Sequence, residues 1–197
     1  MSEMGVKTTM IRAVFFDLYC TLIDIRTDEN DIDVYSVLAR YLKYQGVTIA
    51  PEDLRAAFFA SVERSLRKSN ERYAEVDVYR IFSDIMQKYG IGPYTRQIVV
   101  DTAMLFRSLT IRRFGLFPQV IETLASLKEK YHIGLISDAQ WVFTEPELRM
   151  LGLDHLFEVT LLSSRFGYKK PDARLFREAL RRLGVSAEES VYIGDNP

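Results

Sequence analysis

Three short apolar runs, each followed by polar residues, constrain the fold of this chain more than any other feature of its sequence. The runs span residues 13–16, 132–136 and 191–193, and a similar run spans residues 159–162. Short runs that are apolar on both faces are typical of strands buried in a parallel sheet. Ligands bind at the carboxyl ends of the strands in open parallel sheets. The sequence therefore predicts a site formed by the residues that follow these runs: Asp17, Ser137, Asp138, Gly194 and Asp195.

The segments that connect the later runs have helical periodicity. Residues 118–130 and 172–183 each place their apolar side chains on one stripe, with Pro171 near the start of the second segment and Gly184 after its end. The alternation of strand and helix beyond residue 118 indicates right-handed parallel crossovers. We therefore predict the α/β class, with a Rossmann-like parallel sheet core flanked by helices.

The region from about residue 27 to residue 115 differs, because it shows helical periodicity throughout and no convincing strand. Four apolar stripes follow one another there, and Gly46 and Gly90 end the first and third. We predict an all-helical domain, residues 27–115, inserted between the first and second strands of the sheet. Residues 1–26 and 116–197 would then form the α/β core.

Charge and composition exclude several classes of partner. The chain has 26 Lys and Arg against 27 Asp and Glu, so a general nucleic-acid or membrane surface is not expected. Every apolar run is shorter than the roughly 20 residues of a membrane span. The one cysteine, Cys20, excludes an intramolecular disulfide and favours a reducing compartment. We expect a cytoplasmic monomer or homodimer.

The residues after the runs have types suited to anion and metal chemistry. The carboxylate of Asp17 leaves a buried strand, and the hydroxyl of Thr21 can return to it or to a bound anion. Backbone amides beyond Ser137 can hold an anionic oxygen. Lys170 precedes a proline and can reach across the strand ends. Asp195 can share a hard cation with Asp17, because Mg²⁺ takes one or two carboxylates. Taken singly, each residue also fits an ordinary turn or a solvated basic surface.

Taken together, these motifs resemble those of the haloacid dehalogenase-like hydrolase superfamily in order and spacing. The first motif matches residues 17–22 and the second matches Ser137, at the end of an apolar strand. The third, Lys-Pro-Asp-x-x-x-Phe, matches residues 170–176, and the fourth, Gly-Asp, matches residues 194–195. The resemblance spans residues 11–197, and the predicted inserted helices occupy the place of the family's helical cap.

The resemblance implies nucleophilic catalysis on a small anionic substrate. Asp17 would attack the substrate and Lys170 would orient it, while Ser137 and Thr21 hold substrate oxygens, with Asp138 in the same substrate-binding group. In the phosphatase branch, Mg²⁺ would bind Asp17, the backbone carbonyl of Tyr19, Asp195 and the phosphate. The cation would offset the repulsion between carboxylate and phosphate.

Tyr19 departs from the phosphatase pattern at a catalytic position. Typical phosphatases of the family carry an Asp two residues after the nucleophile, where it protonates the leaving group and later activates water. A phenol titrates near 10, so Tyr19 is a poor base and a weak acid at neutral pH. The sequence therefore predicts weak activity on alkyl phosphates and a smaller loss on substrates with good leaving groups.

Two alternatives to a Mg²⁺-dependent phosphatase stay open. Asp-x-Tyr-Gly-Thr is the first motif of the superfamily's 2-haloacid dehalogenases, which need no acid and no metal, and here Cys20 replaces its Gly. Their halide-binding Arg comes from the cap, where Arg40, Arg55 and Arg64 are candidates. The Gly-Asp of the fourth motif is the metal-binding version. The second alternative is a protein of this fold that binds a ligand without catalysis.

The sequence stops at Pro197, two residues after the Gly-Asp motif. In the superfamily the chain continues with a further metal-binding Asp, a helix and a strand. We therefore expect that the C-terminal part of the core is missing, either because the sequence is a fragment of a longer protein or because the chain is naturally truncated. A truncated chain would have weaker metal binding and lower stability.

Overall fold

The computed structural model describes residues 10–195. Residues 1–9, at the start of the predicted core, and residues 196–197, at its end, lie outside the described residues.

Six strands occur within residues 10–195, and they form two sheets. They are β1 (Ala13–Phe16), β2 (Ile23–Thr27), β3 (Ile111–Leu116), β4 (His132–Ser137), β5 (Val159–Leu162) and β6 (Ser190–Ile193). The main sheet has the order β5-β4-β1-β6, and all its neighbouring strands are parallel. Phe16 pairs with both Leu135 and Ile193, so the ends of these strands lie side by side. The predicted α/β class and the four predicted strands are confirmed.

Seven helices occur in the same part of the chain. They are α1 (Ile32–Tyr44), α2 (Pro51–Lys68), α3 (Val78–Tyr89), α4 (Arg96–Thr110), α5 (Val120–Lys128), α6 (Trp141–Met150) and α7 (Ala173–Leu183). Helices α1 to α4 lie between β2 and β3 and are called the insertion below. None of the helices within residues 10–195 has the length and apolar character that crossing a bilayer requires.

Local chemistry accounts for several helix ends. The side chains of Asp31, Asp77 and Asp172 each accept a hydrogen bond from the backbone N–H two residues on, and so begin α1, α3 and α7. Helix α7 ends at Gly184, whose φ of 64° lies in the left-handed region that glycine adopts without a steric cost.

The prediction that residues 27–115 contain no strand is wrong at both ends of the range. Strand β3 starts at Ile111, where a helix was predicted to continue to residue 112, and β2 ends at Thr27. The two strands are antiparallel, with Ile23 opposite Leu116 and Thr27 opposite Ile111. Their pairing joins segments about 85 residues apart, and a local apolar pattern carries no signal of such a contact. The chain therefore enters and leaves the insertion through a two-stranded ribbon.

The central strand β1 of the main sheet is buried on both faces. Val14 and Phe16 of β1 pack into one apolar cluster, and Ala13 and Phe15 pack into another on the opposite face. A third cluster fills the insertion and continues onto α6, where it includes Val142. Packing on both faces fixes the direction of β1 and thus of the residue that follows it.

Candidate active site

Asp17 lies directly after β1 and is held by backbone contacts. Its N–H donates to the carbonyl of Ile193 at 2.8 Å, which continues the pairing with β6. Its Oδ1 accepts from the N–H of Leu18 at 2.7 Å. The residue is only 8% exposed, although it is a carboxylate. A buried, fixed carboxylate of this kind suits a nucleophile better than a flexible surface acid does.

Lys170 neutralises Asp17. Its Nζ donates to Asp17 Oδ2 at 2.5 Å and to the hydroxyl of Tyr192 at 2.7 Å. Burial alone would lower the pKa of Lys170, but the bonds to Asp17 and Tyr192 outweigh burial, so that the pKa of Lys170 lies above its ordinary value. The lysine is therefore a permanent cation beside the carboxylate at neutral pH.

Asp138 fixes the backbone of the lysine. Its Oδ1 accepts from the N–H of Lys170 at 2.8 Å. Burial raises the pKa of Asp138, the bond to Lys170 opposes the rise, and the charge of Asp17 adds to it. The loop after β4 is thus tied to the loop that carries the lysine.

A cavity of about 300 Å³ opens beside these groups. It is lined by Asp17, Asp138, Lys170, Pro171, Phe176, Tyr192 and Asp195. Four residues predicted from the sequence therefore share one cavity. Tyr192 also lines the cavity, but it was not predicted as a site residue from the sequence. The available signal was its position in the last apolar run, one residue before the end of β6.

The structure places Thr21 and Ser137 close to the cavity but not in its lining. Thr21 Oγ1 accepts from the N–H of Asp195 at 3.1 Å, so the first motif is tied to the fourth. Ser137 ends β4 and is only 1% exposed. Both lie at the predicted strand ends, and their contact with a substrate oxygen stays a prediction.

The phenol of Tyr19 is not part of the cavity lining. Its hydroxyl lies 2.9 Å from Thr144 Oγ1 and donates to Glu147 Oε2. Burial raises the pKa of Tyr19, and the neighbouring Glu147 raises it further. The structure thus separates this side chain from the other predicted catalytic residues and places it against α6.

The arginines proposed as halide ligands do not line this cavity. Arg40 is exposed on α1, Arg55 binds Asn30, and Arg64 lines a groove between α2 and α3. The insertion contributes a different arginine, Arg107, to the residues around Tyr19. No local sequence signal marks Arg107, because its partners come from two distant segments.

Two carboxylates could hold a cation in the cavity. Within residues 10–195 no cluster of three or more His, Cys, Asp or Glu side chains is arranged to bind a metal ion. Asp17 and Asp195 nevertheless line the same cavity. Mg²⁺ binds through one or two carboxylates and keeps water or phosphate oxygens in its other positions. This donor set therefore fits Mg²⁺ completed by substrate and water.

Comparisons with known proteins identify the family. The sequence pattern of the haloacid dehalogenase-like hydrolases matches residues 14–197. The chain is 30% identical over 202 residues to the glyceraldehyde 3-phosphate phosphatase of Methanothermobacter thermautotrophicus, covering 94% of this chain and 77% of that protein. It is 28% identical over 201 residues to the phosphoglycolate phosphatase of Yersinia pestis, covering 97% and 75%. The crystal structure of the 2-haloacid dehalogenase from Pseudomonas syringae pv. Tomato DC3000 aligns with a TM-score of 0.61 at 25% identity, covering 95% and 79%.

Proposed function

The chain belongs to the haloacid dehalogenase-like hydrolase family, and on that premise we propose that it hydrolyses a small phosphate ester with the help of Mg²⁺. One observation carries the proposal: a buried carboxylate, a lysine cation and a second carboxylate line the same cavity, through Asp17, Lys170 and Asp195. A reaction that releases halide would have no use for the second carboxylate. The relatives named as phosphatases act on small phosphorylated compounds, and a cavity of about 300 Å³ suits a substrate of that size.

Asp17 acts as the nucleophile in the proposed mechanism. One of its carboxylate oxygens bonds to phosphorus while the bond from phosphorus to the leaving oxygen breaks, and the leaving group departs with that electron pair. Water then hydrolyses the aspartyl phosphate, which restores the carboxylate and releases phosphate. Lys170 holds Asp17 in position, and Thr21 and Ser137 bind phosphate oxygens. Asp17, Asp195 and the carbonyl of Tyr19 would hold Mg²⁺, whose positive charge would offset the repulsion between the carboxylate and the phosphate.

We further propose that the chain is organised as predicted, with residues 27–115 as a cap over a core formed by residues 1–26 and 116–197. The cap acts by covering the cavity while the substrate is bound and by excluding bulk water. A cytoplasmic monomer or homodimer stays our prediction for the protein as a whole.

The decisive experiment measures phosphate release from p-nitrophenyl phosphate with and without Mg²⁺. We expect activity that depends on Mg²⁺, is lost on addition of EDTA and is abolished in Asp17→Asn. The matched control is Asp24→Asn, which changes a carboxylate of β2 that pairs with Arg113. Full activity in Asp17→Asn would refute the proposed nucleophile.

The leaving group is expected to decide the rate. No carboxyl group stands at the position of Tyr19, and the hydroxyl of Tyr19 is bonded to Glu147. General acid catalysis is worth roughly 10²–10⁴-fold, so alkyl phosphates should be slower than aryl or acyl phosphates by a factor in that range. A series of phosphate esters with leaving groups of increasing pKa tests this expectation, and equal rates across the series would contradict it.

A metal-independent 2-haloacid dehalogenase is the second candidate. The Tyr in the first motif and the likeness to the Pseudomonas syringae enzyme favour it. Chloride release from L-2-chloropropionate in the presence of EDTA, together with no phosphatase activity, would decide for this candidate. If neither reaction occurs but phosphate raises the melting temperature, the third hypothesis, a binding protein without catalysis, gains support.

A further inference from the structure

Four side chains meet where the insertion contacts the core, at some remove from the cavity. Tyr19 comes from the loop after β1, Arg107 from α4 of the insertion, and Thr144 and Glu147 from α6 of the core. We call these four residues the junction cluster. It is the place where the loop that carries Asp17 meets a helix of the insertion.

Glu147 is the centre of the junction cluster. Its side chain is buried, since the residue is only 4% exposed, and both of its carboxylate oxygens accept hydrogen bonds. Oε1 accepts from Arg107 Nε at 2.6 Å, and Oε2 accepts from Arg107 Nη2 at 3.3 Å and from the hydroxyl of Tyr19. A buried carboxylate is stable only when it is paired and hydrogen bonded, so these partners are obligatory.

Arg107 fills the space between two rings. Its guanidinium carbon lies 5.3 Å from the centre of the Tyr19 ring and 5.2 Å from the centre of the Phe143 ring. Cation–π contacts with two rings and paired bonds to a carboxylate both restrict the position of the arginine. Helix α4 ends three residues later, at Thr110, and β3 of the ribbon begins at the next residue, Ile111. The arginine therefore fixes the insertion close to its exit point.

The loop that Tyr19 belongs to is tightly wound. The carbonyl of Leu18 accepts from the N–H groups of Leu22 and Ile23 at 2.8 and 2.9 Å, and the N–H of Cys20 donates to the carbonyl of Ile23 at 2.8 Å. A change in the backbone at Tyr19 would move its own carbonyl, and it would also move Thr21, which contacts Asp195. A phenol held by Glu147 therefore restrains a backbone segment that contacts both carboxylate-bearing motifs.

We propose that Glu147 is a positioning residue, which fixes the nucleophile loop through Tyr19 and fixes the insertion against that loop through Arg107. The consequence for catalysis rests on the proposed function, but the consequence for the loop does not. In this role Tyr19 donates its hydrogen to Glu147 and takes no part in proton transfer to the leaving group. Tyr19, at the position where phosphatases of the family carry a catalytic Asp, thus helps to hold the insertion against the core.

The test combines Tyr19→Phe, Glu147→Gln and the double variant. Tyr19→Phe keeps the ring and removes the hydroxyl that contacts Glu147 and Thr144. Glu147→Gln keeps the shape of the side chain and removes its charge. Kinetics with p-nitrophenyl phosphate and Mg²⁺ should show a fall in kcat of roughly tenfold to hundredfold in each variant, because small misplacements near a reacting group have effects of that size. The double variant should be no slower than the slower single variant, since the two residues act as one unit. The shape of the pH-rate profile should not change.

Hydrogen exchange supplies a readout that does not need catalysis. Backbone amide hydrogens of residues 18–22 and of the last turn of α4 should exchange with solvent faster in both single variants than in the unsubstituted protein. Amide hydrogens of β4 should be as strongly protected in the variants as in the unsubstituted protein. The matched control is Glu145→Gln on the same helix, which removes an exposed carboxylate paired with Arg165 and should change neither readout.

Three results would overturn the proposal. They are unchanged exchange at residues 18–22 in both single variants, losses of activity that multiply in the double variant, and a loss in Tyr19→Phe that Glu147→Gln does not share. If Glu147→Gln does not fold, Tyr19→Phe decides alone through its exchange pattern. If the original protein releases no phosphate from any ester, the proposed function fails, and the exchange data still decide whether Glu147 positions the loop.

Discussion

The phenol of Tyr192 is the second hydrogen-bond partner of Lys170. It lies 2.7 Å from Lys170 Nζ, and its ring packs edge-on against Phe176, with the ring centres 5.3 Å apart. The lysine thus has two oxygen partners, and both of these residues line the cavity. Tyr192 restricts Lys170 to the side chain position that reaches Asp17.

Tyr192→Phe should lower kcat and shift the pH dependence of the reaction. A hydrogen bond to a charged group is worth about 1.5–3 kcal/mol, so a fall of roughly tenfold is expected if half of that energy orients the lysine. The bond to Tyr192 helps to raise the pKa of Lys170. Its loss should lower that pKa, and activity should therefore begin to fall at a lower pH on the alkaline side. A pH-rate profile measures both effects, and Tyr44→Phe, at an exposed position, is the control.

Several site residues could be predicted from the sequence because strand ends in a parallel sheet are neighbours. Asp17, Asp138 and Asp195 follow three strands that are adjacent in the sheet, and they share a cavity. The orientation of Tyr19 could not be predicted, because its partner Glu147 lies 128 residues further along the chain. Motif spacing tells which residues leave a strand, but the direction of a side chain depends on distant neighbours.

At the level of single elements, strand β4 contains a glycine, Gly134, at a closely packed position of the main sheet. A Cβ at Gly134 would lie 2.5 Å from the Phe15 ring and 2.8 Å from a methyl group of Val159. The side chains of two neighbouring strands therefore close over this position. Phe15 can lie flat across β4 only because residue 134 has no side chain.

Gly134→Ala should lower the free energy of unfolding by about 1–3 kcal/mol, the usual cost of overpacking a core. Gly115→Ala in β3 is the matched control, because a Cβ there meets nothing within 4 Å. Urea unfolding of both variants measures the difference. Equal stabilities would show that the ring of Phe15 moves aside without a cost.

Regular elements with a strong pattern were predictable, whereas elements that depend on partners were not. The stripes of α1 to α4 follow from apolar spacing alone, since each helix faces the shared core of the insertion. Strand β3 carries two exposed arginines and follows α4 directly, so its sequence lacks the continuous apolar character of the buried strands. Its strand conformation comes from pairing with β2, which is a tertiary effect.

At the scale of the whole molecule, the insertion is joined to the core by more than the ribbon. The segment between α2 and α3 pairs with the loop before Lys170: the N–H of Glu75 donates to the carbonyl of Gly167 at 3.0 Å, and the N–H of Lys169 donates to the carbonyl of Tyr73 at 2.8 Å. The Glu75 carboxylate accepts from Ser163 Oγ at 2.6 Å. Any movement of the insertion away from the core must break these contacts next to Lys170.

Glu75 should make the stability of the protein depend on pH. Burial raises its pKa above the ordinary value, and the bond from Ser163 only partly opposes the rise. An acid with a raised pKa stabilises the folded state fully below its unfolded pKa, and this contribution is lost as the pH rises through the folded pKa. The melting temperature of Glu75→Gln relative to the original protein should therefore increase between pH 4.5 and pH 8. Glu63→Gln, on the exposed face of α2, should show no such trend.

The ribbon of β2 and β3 has a consequence for how such a chain can change over evolutionary time. Thr27 and Ile111 are direct partners, so the two ends of the insertion lie one strand spacing apart, about 5 Å. A segment with adjacent ends can be replaced by another of different length without altering the path of the sheet on which Asp17 depends. The ribbon is thus a position at which the whole insertion can be exchanged while the residues that line the cavity are inherited unchanged.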